Sequence, residues 1–213
     1  MTDAPLAWPR LRRGLVAILR GVRPDEAVAV ADAVHVAGIE AIEVPLNSPD
    51  PFRSIATIAA DLPAGALVGA GTVLDSADVD RLVAAGGRLL VAPNVDAAVL
   101  ARAAEHALVM MPGVFTPTEA FAAIKAKASA LKFFPASVLG PKAIAAISAV
   151  LPKGLIVGVV GGVSEADFAD YAKVGVRTFG LGSSLYKPGM SAADVAARAA
   201  AAVAAWDTVF GRG

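Results

Sequence analysis

The sequence has no cysteine, which excludes disulfides, thiolate nucleophiles and cysteine-held metals. It has 2 histidines, His35 and His106, in neither an HxH nor an HExxH spacing, so no histidine-held metal is expected. An excess of one charge is missing as well: 19 Lys and Arg balance 19 Asp and Glu, with no long block of either. That argues against a surface for nucleic acid or for an anionic membrane and leaves a small molecule as the expected partner. No apolar run approaches the ~20 residues of a membrane helix. The opening MTDAPLAWPRLRRG has its arginines after a broken apolar stretch, unlike a signal peptide, so a cytoplasmic setting is expected. What is abundant is apolar: 56% of the 213 residues are hydrophobic and 18% charged, enough for one large core.

Eight short β-rich runs recur: LVAILR at 15–20, AIEVPL at 41–46, ALVGAG at 66–71, LLVAP at 89–93, LVMMPG at 108–113, ALKFFPA at 130–136, LIVGVVGG at 155–162 and TFGLGSS at 178–184. Their near-continuous apolar character predicts strands covered on both faces, as in a parallel sheet. Between them lie alanine-rich segments with helix-start signals. Thr116-Pro117-Thr118-Glu119 reads as a capping box with proline at the first helical position, and Asp75, Ser164 and Ser191 each stand three residues before an acid. Gly38, Gly86 and Gly175 fall where helices should stop. Strand-helix units of roughly 20–25 residues, repeated eight times, predict an α/β protein: a closed (β/α)8 barrel forming a single domain over residues 1–213. An open doubly wound sheet is the alternative, although Gly21-Val22-Arg23-Pro24 after the first run lacks the spaced glycines of a dinucleotide site. The loops are too short for a lid, which predicts a compact site and a small substrate.

Few ionisable residues fall in or at the ends of these runs: Arg20 closes the first, Glu43 lies inside the second and Lys132 inside the sixth. At the carboxyl ends of barrel strands such residues line the catalytic face. A buried ammonium costs several kcal/mol unless it is paired or deprotonated. Lys132 is therefore either a lysine that snorkels to solvent or pairs with Glu43, or a nucleophile. Desolvation beside the Arg20 cation would move its pKa from ~10.4 towards neutrality and free an amine to attack a ketone. Glu43 would then move protons, or merely balance Arg20, whose planar fork suits a carboxylate. The other lysines, Lys125, Lys127, Lys142, Lys153, Lys173 and Lys187, fall in helices or turns and read as solvated. Gly161-Gly162 before a cap at Ser164, and Gly180-Leu181-Gly182-Ser183-Ser184 after the last run, predict a phosphate site in the final two loops, where exposed backbone N–H groups meet an anion. Tight turns would also account for these glycines.

In these motifs the chain resembles the class I 2-keto-3-deoxy-6-phosphogluconate/6-phosphogalactonate (KDPG/KDPGal) aldolases, small (β/α)8 enzymes that form trimers. The resemblance spans residues 13–206 and rests on VAILRG with Arg20, GIEAIEVPLNSP with Glu43, GAGTVL at 69–74, APNVD at 92–96, MPGVFTPTEA at 111–120, LKFFPAS with Lys132, GVVGGVS at 158–164 and GLGSSLY at 180–186, in fixed order. It implies a Schiff base on Lys132, a proton shuttle at Glu43, Arg20 at the carboxylate end, and phosphate held by Gly161, Gly162, Gly182 and Ser183. It further implies substrate contacts from Asn47, Gly71, Thr72, Pro93, Asn94, Phe134 and Pro135, a homotrimer, and no cofactor or metal. EVPLNSP resembles the phosphogalactonate branch, in which an arginine of the gluconate enzymes is absent and Asn47 stands in its place; KFFPAS lies between the two branches. The expected reaction is retro-aldol cleavage of 2-dehydro-3-deoxy-6-phosphogalactonate to pyruvate and D-glyceraldehyde 3-phosphate. The gluconate epimer, or both epimers, is the rival substrate, and a non-catalytic sugar-acid-binding barrel is the rival of another class. Pentose-phosphate epimerases and thiamine-phosphate synthases share the phosphate loops but have no need of a strand lysine beside a strand glutamate.

Overall fold

In the computed structural model, which describes residues 6–211, the apolar runs become strands and the alanine-rich segments helices. They alternate as β1 (Leu15–Ile18), α1 (Pro24–Val36), β2 (Ala41–Pro45), α2 (Pro51–Asp61), β3 (Leu67–Gly71), α3 (Ser76–Ala84), β4 (Leu89–Val91), α4 (Ala97–Glu105), β5 (Val109–Met111), β6 (Gly113–Val114), α5 (Pro117–Lys125), β7 (Ala130–Phe133), α6 (Ala136–Ser148), β8 (Ile156–Val160), α7 (Phe168–Ala172), β9 (Thr178–Leu181) and α8 (Ala192–Phe210). The first five residues of the stretch inspected above for a signal peptide lie outside the described residues. No helix among the described residues is long and apolar enough to cross a membrane.

Hydrogen-bonded neighbours follow the order β5-β4-β3-β2-β1-β9-β8-β7-β6, and every pair is parallel. The two ends of that order, β5 and β6, are pieces of one extended segment separated by Pro112. The expected single strand LVMMPG is therefore two, because proline has no N–H for the ladder. Its carbonyl still accepts from the Lys132 N–H at 3.0 Å, and the Met110 carbonyl accepts from Ser129 at 2.9 Å. The segment is thus bonded to β4 on one side and β7 on the other. The sheet closes into a barrel with α-helices outside, and the open doubly wound alternative is set aside.

The strand alternation separates two apolar layers. Outward residues such as Phe133, Phe179, Leu19 and Ile42 pack against the helices in the larger core. Inward residues Val16, Ala41, Leu67, Leu89, Val91, Val109, Met111 and Ala130 form a second cluster, against which Trp8 and Leu11 pack. Burial of each large side chain stabilises by about 1.5–3 kcal/mol. Two inward glycines leave room for other side chains: a Cβ on Gly158 would lie 2.3 Å from Met111 Cε, and one on Gly180 would lie 2.6 Å from Cγ2 of Val160, its register partner on the adjacent strand. In the same inward series stand Glu43, opposite Ile18, and Lys132, opposite Gly158.

The expected caps form. Thr116 and Glu119 close their box, Asp75 accepts from Ala77 at the head of α3, and Ser191 accepts from Asp194 at the head of α8. Ser164 closes its box with Asp167 over a 3₁₀ turn, Glu165–Asp167, which leads into α7. Gly38, Gly86 and Gly175 follow helices with φ of 108°, 78° and 87°, the left-handed stop that glycine allows without penalty.

Candidate active site

Lys132 faces the barrel axis because its neighbours Leu131 and Phe133 face the helices. It is 5% exposed, and Glu43 is 2% exposed, so Lys132 does not snorkel to solvent. Its ammonium nitrogen stands 4.8 Å from the centre of the Phe134 ring. Glu43 Oε2 is buried without a hydrogen-bond partner. Among the described residues no direct ion pair joins the two, and they act on each other through space. Burial pushes the Lys132 pKa down; Glu43 opposes that shift and Arg20 adds to it. Burial likewise pushes Glu43 up to about 7, against the pull of Lys132 and Arg20. A lysine driven towards free amine beside a carboxyl that titrates near neutrality is the combination that nucleophilic attack and proton transfer require.

Gly71, expected as a substrate contact, also makes room for this pair. A Cβ there would lie 1.3 Å from Glu43 Oε2 and 2.3 Å from Cδ, so the missing side chain is the space the carboxyl fills. Glu43 is a long side chain inside a barrel, and only a glycine next to it leaves room.

Arg20, exposed just beyond β1, donates to Asn47 Oδ1 and, at 3.4 Å, to Thr72 Oγ1. Both acceptors are neutral, so the guanidinium charge is left for an anion. Thr72 has φ 56°, a left-handed conformation that costs a β-branched residue about 1–3 kcal/mol. Ser48 accepts from the Gly21 N–H at 2.9 Å, so Asn47-Ser48 clamps Arg20-Gly21. Asn47 thus holds Arg20, a role the sequence reading had not assigned to it.

A cleft of about 590 Å³ opens at the carboxyl ends of the strands. Of the expected residues, Arg20, Thr72, Pro93 and Phe134 line it, together with Gly161, Gly162, Gly182 and Ser183 of the last two loops. Lys132 and Glu43 are not on its wall; Phe134 links the cleft to Lys132 through its ring. Pro135 stands behind Gly161, its Cα 3.2 Å from where a Cβ on that glycine would be. Asn94 is exposed beyond Pro93 and outside the lining.

The glycines of the two loops differ. Gly161 and Gly162 have φ of 93° and 72°, so the turn itself demands glycine. Gly182 has no such constraint, and a Cβ there would meet nothing within 4 Å. Its bareness keeps backbone open at the cleft. One charged lining residue was missed: Lys187, read from the sequence as solvated, is exposed but belongs to the cleft. Its signal was its place directly after GLGSSLY.

The family model for KDPG and KHG aldolase matches residues 10–205. A relative from Rhizobium meliloti (strain 1021), named "Probable 2-dehydro-3-deoxy-6-phosphogalactonate aldolase", is 63% identical over 203 residues, 95% of this chain and 96% of that one. The 2-dehydro-3-deoxy-6-phosphogalactonate aldolase of Escherichia coli (strain K12) is 46% identical over 192 residues, 90% of this chain and 94% of that one. A solved native KDPGal structure superposes with a TM-score of 0.92 at 44% identity, covering 95% of this chain and 98% of that one. Likeness of this extent, in sequence and in fold, means that the chain belongs to the KDPG and KHG aldolase family and is a lyase.

Proposed function

We propose that the protein cleaves 2-dehydro-3-deoxy-6-phosphogalactonate to pyruvate and D-glyceraldehyde 3-phosphate. The observation that carries this is Lys132, a strand lysine 5% exposed whose burial favours the free amine. That amine attacks the C2 carbonyl, water leaves the carbinolamine, and a protonated imine results. Glu43 takes the proton of the C4 hydroxyl, directly or through water. The C3–C4 bond breaks, its electron pair passes into the iminium to give an enamine, and C4 becomes the aldehyde carbon. A proton returned through Glu43 to C3 restores the imine, and water releases pyruvate and Lys132. Arg20 binds the substrate carboxylate, while the Gly161-Gly162 and Gly182-Ser183 loops receive the phosphate. Neither cofactor nor metal enters this scheme.

The choice of epimer rests on the names of the relatives and on Asn47. Its Oδ1 is tied to Arg20, and an arginine in its place would set two guanidiniums against each other at that corner. We assign the protein to the cytoplasm as a homotrimer, a state supported by Leu74, Phe115 and Phe121, which are 56%, 39% and 45% exposed. Large apolar side chains left on a surface suit contact with other copies, and the mass in solution tests this. The function is tested by kcat/KM on both C4 epimers with aldehyde phosphate release followed directly. The galactonate compound should be turned over at least as well, with discrimination worth about 1–3 kcal/mol. A preference above tenfold for the gluconate compound overturns the assignment, and an unchanged ratio in Asn47→Arg removes that residue from epimer choice.

A further inference from the structure

Two residues with charged side chains line the cleft, Arg20 and Lys187, and no carboxylate does. Some cations elsewhere on this surface meet acids, Lys173 with Asp170 at 2.7 Å and Arg102 with Asp80 at 2.8 Å, whereas Lys125, Lys142 and Lys153 have no ion pair among the described residues and line no part of the cleft. Lys187 has no ion pair or side-chain hydrogen bond among the described residues.

Its position is nevertheless built. Tyr186, 2% exposed, donates from its hydroxyl to Glu26 Oε1 on α1 at 3.0 Å. The backbone N–H groups of Leu185 and Tyr186 both donate to the Gly182 carbonyl at 2.9 Å. On the other side Pro188 lies over Gly21, its Cγ 2.7 Å from where a Cβ on that glycine would be. Lys187 therefore stands between two docked neighbours, a short turn past Gly182-Ser183. The two cations are also served from different sides. Arg20 is drawn by Asn47 and Thr72 towards the loops after β2 and β3, whereas Lys187 follows β9, which pairs with β8, the strand before Gly161-Gly162. A substrate with a carboxylate at one end and a phosphate at the other matches that separation.

We propose that Lys187 is a phosphate-binding residue, its ammonium meeting the phosphoryl group that the Gly161-Gly162 and Gly182-Ser183 backbones cradle. The inference rests on the function proposed above, in that it needs a phosphorylated 2-keto acid as substrate. Backbone N–H groups supply direction but no net charge, and Lys187 supplies the charge. Because the contact is at the rim, it acts largely on capture of the substrate and is weakened by salt.

The test is Lys187→Gln and Lys187→Arg, assayed on the phosphorylated 2-keto-3-deoxy acid and on its dephosphorylated analogue over a series of ionic strengths. For Lys187→Gln, kcat/KM on the phosphorylated acid should fall about tenfold at low salt, through KM, with kcat within about twofold. The fall should shrink as salt rises, the analogue should be unaffected, and Lys187→Arg should keep most of the parent value. Equal losses on both compounds, or no loss on either, overturn the proposal. If the parent does not turn over the phosphorylated acid, the proposed function falls separately. Broadening of the inorganic phosphate signal in phosphorus NMR then decides the anion site: weaker broadening with Lys187→Gln than with the parent supports it, and equal broadening overturns it.

Discussion

Gly71→Ala adds a single methyl group at a point 1.3 Å from Glu43 Oε2. Gly71 is not among the positive-φ glycines, so its backbone accepts alanine and the effect is steric. Ordinary contact needs roughly 3.5 Å between heavy atoms, which forces the carboxyl to withdraw by about 2 Å. Proton transfer needs donor and acceptor within about 2.6–3.2 Å, so the displaced Glu43 no longer reaches the proton it moves. Turnover should fall by the ~10²–10⁴-fold that general acid-base catalysis contributes, with overpacking lowering stability by about 1–3 kcal/mol. The three atoms nearest the added methyl all belong to Glu43, and the amine of Lys132 is left in place. Trapping of the pyruvate imine by borohydride should therefore survive, while exchange of the pyruvate methyl hydrogens in deuterated water, which needs the proton shuttle, should drop with cleavage. Placed on Glu43→Gln, the same alanine should cost less than about threefold more, because both changes remove one function. Cleavage by Gly71→Ala within threefold of the parent would refute the reasoning.

Lys132→Met should abolish both the trapped adduct and cleavage while leaving a folded barrel, with stability changed by about 1 kcal/mol in either direction; peptide mapping that places the parent's adduct on Lys125, Lys127 or Lys142 sinks the assignment. Gly182→Ala, whose Cβ meets no protein atom within 4 Å, should lower kcat/KM for the phosphorylated substrate more than for its dephosphorylated analogue, and equal losses would move the phosphate elsewhere. Gly162→Ala is a poorer probe, since φ 72° and Ser137 at 2.7 Å from the added carbon would strain the loop whatever it binds. Stability should also depend on pH through Glu43, whose folded pKa is raised from 4.5 to about 7. Its contribution is fully present below the unfolded value and is lost as pH rises through the folded one, a change of ~3 kcal/mol at most. Lys132, lowered from 10.5, works in the opposite sense, with stability lost as pH falls through its folded pKa. Denaturation midpoints at pH 5 and pH 8 should show Glu43→Gln gaining on the parent at the higher pH, and parallel slopes would contradict the raised pKa.

Much of this was legible because it is local. An ammonium inside ALKFFPAS is costly enough to be visible in one dimension, and so are Arg20 and Glu43 on apolar runs. Thr116, Asp75 and Ser191 cap helices through groups two or three residues away. Pro112 carried its signal too, a missing N–H within LVMMPG, but the continuous apolar run hid the break. What was not legible depends on distant partners. Gly71 is explained only by a carboxyl from the neighbouring strand, and Asn47 by a guanidinium 27 residues earlier. Lys187 is brought to the cleft by a segment that Tyr186 anchors to Glu26, 160 residues away. Lysine in a turn reads as solvated unless the turn is known to be docked.

The inward glycines of the barrel carry a consequence for how such a chain can change over time. Met111 occupies the space a side chain on Gly158 would need, Val160 that of Gly180, and the Glu43 carboxyl that of Gly71. Volume in the interior is thus allotted across strands, and the two ionisable residues are part of the filling. A lineage that lost the chemistry could not shed Lys132 and Glu43 one at a time for small residues without opening holes that cost about 2–5 kcal/mol each; refilling them would require coordinated changes at several strands. Drift towards a new substrate meets less resistance at Gly182, Ser183 and Lys187, where added or altered side chains meet solvent, so diversification within this architecture should concentrate at the rim while the interior stays frozen.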